Sequence, residues 1–178
     1  MKKNVIILSA SPRRKGNSDI LCDEFMKGAI EAGYDVEKIF LSDKNINYCT
    51  GCGVCNTTHE CVQKDDMKAI LVKLLKADVI VMASPVYFYT INAQMKTLID
   101  RIVPQYTNLS NKEFYFIITA ADTDLNMMER SIECFRGFLD CLENPTEKGI
   151  IYGVGAWQKG EIKDTKAIQE AYEMGKNV

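Results

Sequence analysis

Apolar residues in this chain of 178 residues fall into two alternating rhythms. Short continuous apolar runs, bounded by turn residues, lie at 3–8, 78–84, 113–119 and 148–154. Runs of that length read as strands covered on both faces, as in a parallel sheet. Between them the apolar positions recur every three or four residues. Ile20, Leu21, Phe25, Ala29 and Ile30 predict a helix from 19 to about 32, closed by Gly33 as its C′ glycine. Residues 65–76 form an amphipathic helix with acids in the first turn, where the macrodipole favours them. Further helices are expected over 92–103, 126–142 and 165–175, with Lys96, Asp100 and Arg101 on the wetter side of the first of these. Residues 34–41 alternate only in part, which marks a strand with one open face at a sheet edge. Pro85 is expected to stop the strand before it, and Pro104 the helix before it.

Strand and helix alternate five times, so the natural packing is an open parallel sheet with helices on both faces. Residues 42–65 break the pattern: they show no periodicity, and structureless connections of that length are usually functional. Residues 120–124 and 155–163 are shorter polar or glycine-containing loops. No repeat or linker interrupts the chain, and a single domain over 1–178 is expected, with a cysteine-rich loop at about 42–65.

Composition narrows the function classes. Hydrophobic residues make up 47% and charged residues 26%, an ordinary globular profile. The net charge of -2 offers no basic field for nucleic acid. No apolar run is long enough to cross a bilayer, so no membrane partner is expected. Lys2 and Lys3 precede only a short apolar run that ends at Ser9, so a signal peptide is not expected and the cytoplasm is the expected location. Seven cysteines then read as thiols or metal ligands rather than as a disulfide framework. His59 is the sole histidine, which leaves no Ser-His-Asp triad.

The densest chemistry lies at residues 9–18. A strand enters this stretch and a helix leaves it, so backbone N–H groups and a helix N-terminus converge, a geometry that suits phosphate. Ser9, Ser11 and Ser18 add hydroxyls, Asn17 an amide, and Arg13 or Arg14 a guanidinium. Pro12 sets a rigid turn, Gly16 permits close approach, and Ser18 is placed to cap the helix. A plain capped loop would not need so many polar groups. The stretch is neither G-x-x-x-x-G-K-[ST] nor G-x-G-x-x-G. It better suits one terminal phosphate monoester than a pyrophosphate. A second stretch, Pro85, Val86, Tyr87, Phe88, Tyr89 and Thr90, places three consecutive aromatics after a strand. They cannot all face one core, and together they can flank a planar ring. Trp157 either packs over such a ring, lies at a subunit contact or is plain packing, the commonest role of a lone Trp.

The third constellation is Cys49-x2-Cys52-x2-Cys55-x5-Cys61. Four cysteines within one short loop are a strong metal signal, and steps of three resemble runs that wrap an iron-sulfur cubane. Gly51 and Gly53 would let amides turn toward sulfur. A 4Fe-4S cluster ranks first, empty thiols second, and zinc well behind, since zinc sites more often pair two separated C-x2-C knuckles. His59 is expected to be a solvated loop histidine. Cys22, Cys134 and Cys141 are expected as buried helix thiols.

The loop at 9–18 resembles the phosphate loop of the NAD(P)H-dependent FMN reductases among the flavodoxin-like flavoproteins. Residues 83–101 resemble that group's second flavin loop and following helix. Residues 49–61 are similar to the compact cysteine motif of its iron-sulfur flavoprotein branch. The resemblance implies a three-layer αβα sandwich with a five-stranded parallel sheet in order 2-1-3-4-5, whose switch point lies at the ends of the first and third strands. It implies an FMN-dependent NAD(P)H oxidoreductase, with NAD(P)H as substrate and chemistry carried by the flavin rather than by a catalytic side chain. Backbone groups of Val86 to Tyr89 would meet the ring edge, Asn92 its polar end, and Thr119, Ala120, Ala121 and Asp122 a third wall. The electron acceptor would be a small molecule or a protein. A homodimer or homotetramer is implied, with the cysteine loop and residues 104–112 as candidate contacts. The rival readings are an electron-carrying iron-sulfur flavoprotein and a non-redox module that binds another phosphate ligand.

Overall fold

The computed structural model describes residues 2–178. Its strands are β1 (Asn4–Ser9), β2 (Asp35–Phe40), β3 (Val79–Tyr87), β4 (Thr90–Ile91), β5 (Glu113–Thr119) and β6 (Thr146–Gly153). Its helices are α1 (Asn17–Glu31), α2 (Cys55–Thr58), α3 (Met67–Lys76), α4 (Ala93–Asp100), α5 (Glu129–Leu139) and α6 (Ala167–Lys176). Five strands run parallel in the order β2-β1-β3-β5-β6. Among the parallel strands this is the expected order; β4 is additional, a two-residue strand antiparallel to the end of β3.

The continuous apolar runs have the expected cause. Side chains alternate across a strand, so Val5, Ile7, Val79, Val81 and Ile117 pack under α1 and α6, while Ile6, Leu8, Ile80, Met82 and Phe116 pack under α3, α4 and α5. On β2, only Ile39 and Phe40 are buried, as befits an edge. Gly33 takes φ +93 just past α1, the left-handed conformation its C′ role requires.

Three boundaries differ from the sequence reading. Pro85 does not stop β3, which runs on to Tyr87. Pairing of β1 with β3 ends at Ser9 and Ala83, so no β1 residue lies opposite Pro85 to need the N–H that proline lacks. The fourth helix is shorter than expected and ends at Asp100, before a 3-10 turn that contains Pro104. Arg101 consequently leaves the helix face and turns inward: it is 2% exposed, not on the wetter side. The fifth helix is preceded by a separate 3-10 turn, Leu125–Met128. Of the three helix cysteines, only Cys22 is buried; Cys134 is half-buried and Cys141, beyond the end of α5, is exposed. Burial pushes the Cys22 thiol well up, so it stays protonated.

Helices α1 and α6 touch through glycine. A Cβ on Gly28 would run into the Tyr172 carbonyl, and one on Gly175 into the Phe25 carbonyl. Backbone cannot step aside as a side chain can. Gly28→Ala should therefore lower stability by roughly 1–3 kcal/mol through overpacking, despite the better helix propensity of alanine. Gly137 of α5 has open space around its Cα. Gly137→Ala should instead raise stability by about 0.5–1 kcal/mol. Denaturant midpoints of the two variants should move in opposite directions, and a shift in the same direction would contradict the close-packed crossing.

Candidate active site

A cleft of about 560 Å³ opens at the C-terminal ends of β1, β3 and β5. Ser11, Pro12, Arg13, Asn17 and Ser18 form its first side. Pro85, Val86, Tyr87 and Phe88 form the second, and Thr119, Ala120 and Ala121 the third. Ala156 and Trp157 complete the lining. This is the switch point, where neighbouring strands feed helices on opposite faces and leave a crevice.

Helix α1 starts at Asn17 with Gly16 as N-cap and no side-chain cap. The helix thus begins two residues earlier than Ser18 capping would require, and Ser18 sits in the first turn. The amides of Asn17, Ser18 and Asp19 have no carbonyl four residues back in the helix, so they remain free to donate at the cleft. The Ser11 hydroxyl donates to the Arg13 carbonyl at 2.8 Å and accepts from the Arg13 amide at 3.2 Å, which curls the loop tightly. A Cβ on Gly16 would lie 2.5 Å from Ser11 Oγ and 2.9 Å from the Arg13 carbonyl, so the curl requires glycine there. Arg13 borders the cleft, whereas Arg14 turns away to pair with Asp43 and stack on Phe40.

Other predicted residues support the walls without lining them. Ser9 is buried and donates to Asp19 Oδ1 at 3.0 Å. Asn92 caps α4, accepting from the Met95 amide, and its Nδ2 donates to the Ala10 carbonyl at 2.6 Å. Its amide is therefore committed to joining the first two loops. Tyr89 lies outside the cleft, 6.0 Å from the Arg130 guanidinium. Asp122 accepts from the Asp124 amide at 2.9 Å, within its own loop.

Phe88 and Tyr89 form the two-residue turn between β3 and β4, both with positive φ, at 49° and 63°. Such turns favour Asn-Gly. Aromatic residues held there cost roughly 1–2 kcal/mol each, yet Phe88 is 99% exposed. Strain combined with full exposure of an aromatic ring marks a surface shaped for contact.

The loop at 155–160 carries what sequence reading missed. Asn17 Nδ2 donates to the carbonyls of Ala156 (3.0 Å) and Gln158 (2.9 Å), and its Oδ1 accepts from the Gly160 amide at 2.9 Å. Ala156 has no chemical signature that could have revealed it. Trp157 is 71% exposed at the rim, so plain core packing does not describe it. Glu161 holds it in place by accepting from the amides of Trp157 and Gln158.

A second locus lies in the long loop between β2 and α3. Cys49, Cys52, Cys55 and Cys61 all border one hollow of about 30 Å³, together with Arg101. Gly51 and Gly53 have positive φ, and the Gly51 amide donates to Cys49 Sγ at 3.5 Å. Among the described residues, no three Cys, His, Asp or Glu side chains converge tightly enough to hold a single ion. A mononuclear zinc site needs four ligands drawn to about 2.3 Å. The base of the loop is fixed by a buried pair, with Arg101 Nη1 at 2.7 Å and Nη2 at 3.0 Å from the Asp65 carboxylate. His59 stands outside that hollow, at the end of α2, in a left-handed conformation.

Comparison with known proteins places these features. An iron-sulfur flavoprotein of Archaeoglobus fulgidus is 47% identical over 94 residues, covering 53% of this chain and 43% of that protein. The chain spans about half the length of the first relatives it matches. A second A. fulgidus iron-sulfur flavoprotein is 28% identical over 98% of this chain and 92% of its own. The solved structure of an NAD(P)H:quinone oxidoreductase from Methanothermobacter marburgensis shares the fold, with a TM-score of 0.78 at 19% identity over 99% of this chain and 96% of its own. The family described as NADPH-dependent FMN reductase matches residues 3–142, from β1 through the end of α5 and so through the cysteine loop and most of the cleft. The chain belongs to the NADPH-dependent FMN reductase family.

Proposed function

We propose that the chain is an FMN-dependent NAD(P)H oxidoreductase whose flavin sits in the cleft at the ends of β1, β3 and β5. One observation carries this reading: an open helix N-terminus, a curled hydroxyl-bearing loop and a strained aromatic turn border the same crevice. The residues fit the cofactor. The free amides of Asn17, Ser18 and Asp19, the Ser18 hydroxyl and the Arg13 guanidinium suit a dianionic phosphate at the positive end of α1. Backbone groups of Pro85 to Phe88 and of Thr119 to Ala121 would border the ring edge. When bound, the flavin supplies two-electron acceptance from a nicotinamide and release of electrons to an acceptor. The protein's part would be to hold the ring among the loops that follow β3, β5 and β6 and to leave the cleft's opening for NAD(P)H. Hydride transfer to the ring needs no side-chain acid or base.

We further read Cys49, Cys52, Cys55 and Cys61 as ligands of a 4Fe-4S cluster that passes electrons onward. Their common hollow and the relatives named iron-sulfur flavoproteins favour this over thiols alone. A cluster would extend the acceptors from small molecules to proteins that take one electron at a time. The exposed Tyr87, Phe88, Tyr89 and Trp157 around the cleft support a homodimer or homotetramer in which a second copy covers the flavin.

Arg13→Gln should weaken FMN binding about tenfold, the loss of one charge-assisted hydrogen bond. Gly16→Ala should weaken it further, because the loop must uncurl. Flavin fluorescence titration of the apoprotein checks both; affinities equal to the unmodified protein would place the phosphate elsewhere. Anaerobic mixing of the FMN-loaded protein with NADPH or NADH should bleach the flavin absorbance rapidly. Persistent oxidised flavin with both nucleotides would remove the reductase activity and leave an electron carrier.

A further inference from the structure

Arg101 carries a buried donor beyond those that bind the cysteine loop. Nη1 donates to the Asn47 carbonyl at 2.5 Å and to Asp65 Oδ2 at 2.7 Å, and Nη2 donates to Asp65 Oδ1 at 3.0 Å. Those bonds tie the two ends of the cysteine loop to the end of α4, and they would suffice for a purely structural role. The Nε–H is left over: it is buried with no hydrogen-bond partner. An orphaned buried donor is costly and calls for a reason. Cys61 supplies one. Of the four loop cysteines, Cys61 alone borders, together with Arg101, both the hollow shared with Cys49, Cys52 and Cys55 and the adjoining one against α3.

We propose that Arg101 is a positioning residue for the iron-sulfur site, with its Nε–H serving as a hydrogen-bond donor to the Cys61 sulfur. This rests on the cluster reading given above. Four thiolates make a bound cluster anionic, and reduction adds one electron with no bond broken and no proton moved. A donor on a ligand sulfur stabilises the more negative, reduced state and so raises the potential. The guanidinium suits the role because Asp65 fixes its plane and charge, leaving the remaining N–H in a set direction. Arginine here is thus more than a counter-ion: lysine would pair with Asp65 but carries no equivalent of Nε–H.

The test compares the unmodified protein, Arg101→Lys and the double variant Arg101→Gln with Asp65→Asn, each reconstituted anaerobically with iron and sulfide. The double variant removes both buried charges together, so neither is stranded. Iron per chain, thermal melting and the cluster midpoint potential are read for each. Arg101→Lys keeps the charge beside Asp65 but loses the two-point pair, so it should fold with a lower melting temperature, take up iron as the unmodified protein does, and show a lower potential. At a fixed applied potential its reduced-to-oxidised ratio should drop about tenfold, or 59 mV for one electron. The double variant should shift in the same direction. A cluster in Arg101→Lys at the unmodified potential would overturn the proposal and reduce Arg101 to a structural ion pair. An unmodified protein that takes up no iron would instead overturn the cluster reading beneath it, and the two failures are distinct.

Discussion

The cleft depends on one buried amide, Asn92. Its Nδ2 holds the Ala10 carbonyl, its Oδ1 accepts from the Met95 amide, and its backbone N–H donates to Ser84 Oγ at 3.0 Å. Four segments meet there: the loop after β1, the end of β3, the return strand β4 and the start of α4. Parallel strands diverge at their C-terminal ends, and nothing in the sheet itself fixes the distance between the loops that follow. Asn92 fixes it with bonds made out of reach of water, where loss of one partner is expensive. Asn17 does the same on the other side, joining the first turn of α1 to the loop at 155–160. The walls are therefore set before any ligand arrives, as selective binding requires.

Helix α4 links this cleft to the cysteine loop. Asn92 caps its start and Arg101 follows its end, eight helical residues later. At 1.5 Å per residue the two anchors, nine positions apart, stand about 13 Å apart along the helix. The cysteine loop has little core of its own: Cys49 and Cys52 are exposed, and Cys55 and Cys61 are half-buried. Its placement relies on the buried Arg101 and Asp65 pair. A short rigid rod with a polar anchor at each end thus holds the two proposed redox loci in a fixed relation.

The sheet was legible because burial on both faces leaves continuous apolar runs. The two loops that border the cleft were legible because hydroxyl, basic and aromatic residues crowd into short stretches there. Three features were hidden for physical reasons. Arg101 looked solvent-facing because helical periodicity assumes the helix continues, and its partner Asp65 lies 36 positions earlier. Asn92 looked like a ligand because a cap and a ligand use the same amide chemistry; only the positions of Ala10 and Ser84 decide between them. Ala156 contributes backbone and a methyl group, which carry no pattern. Pro85 misled for a subtler reason: whether proline ends a strand depends on whether the neighbouring strand is still present, and here β1 has already finished.

Whether α1 and the aromatic turn enclose one flavin is decided by a crystal structure of the anaerobically prepared, FMN-loaded protein. The phosphate should lie within hydrogen-bond distance of the Asn17, Ser18 and Asp19 amides, with the ring between Pro85–Phe88 and Thr119–Ala121. A phosphate held elsewhere, or a ring lying outside those two loops, would contradict that enclosure.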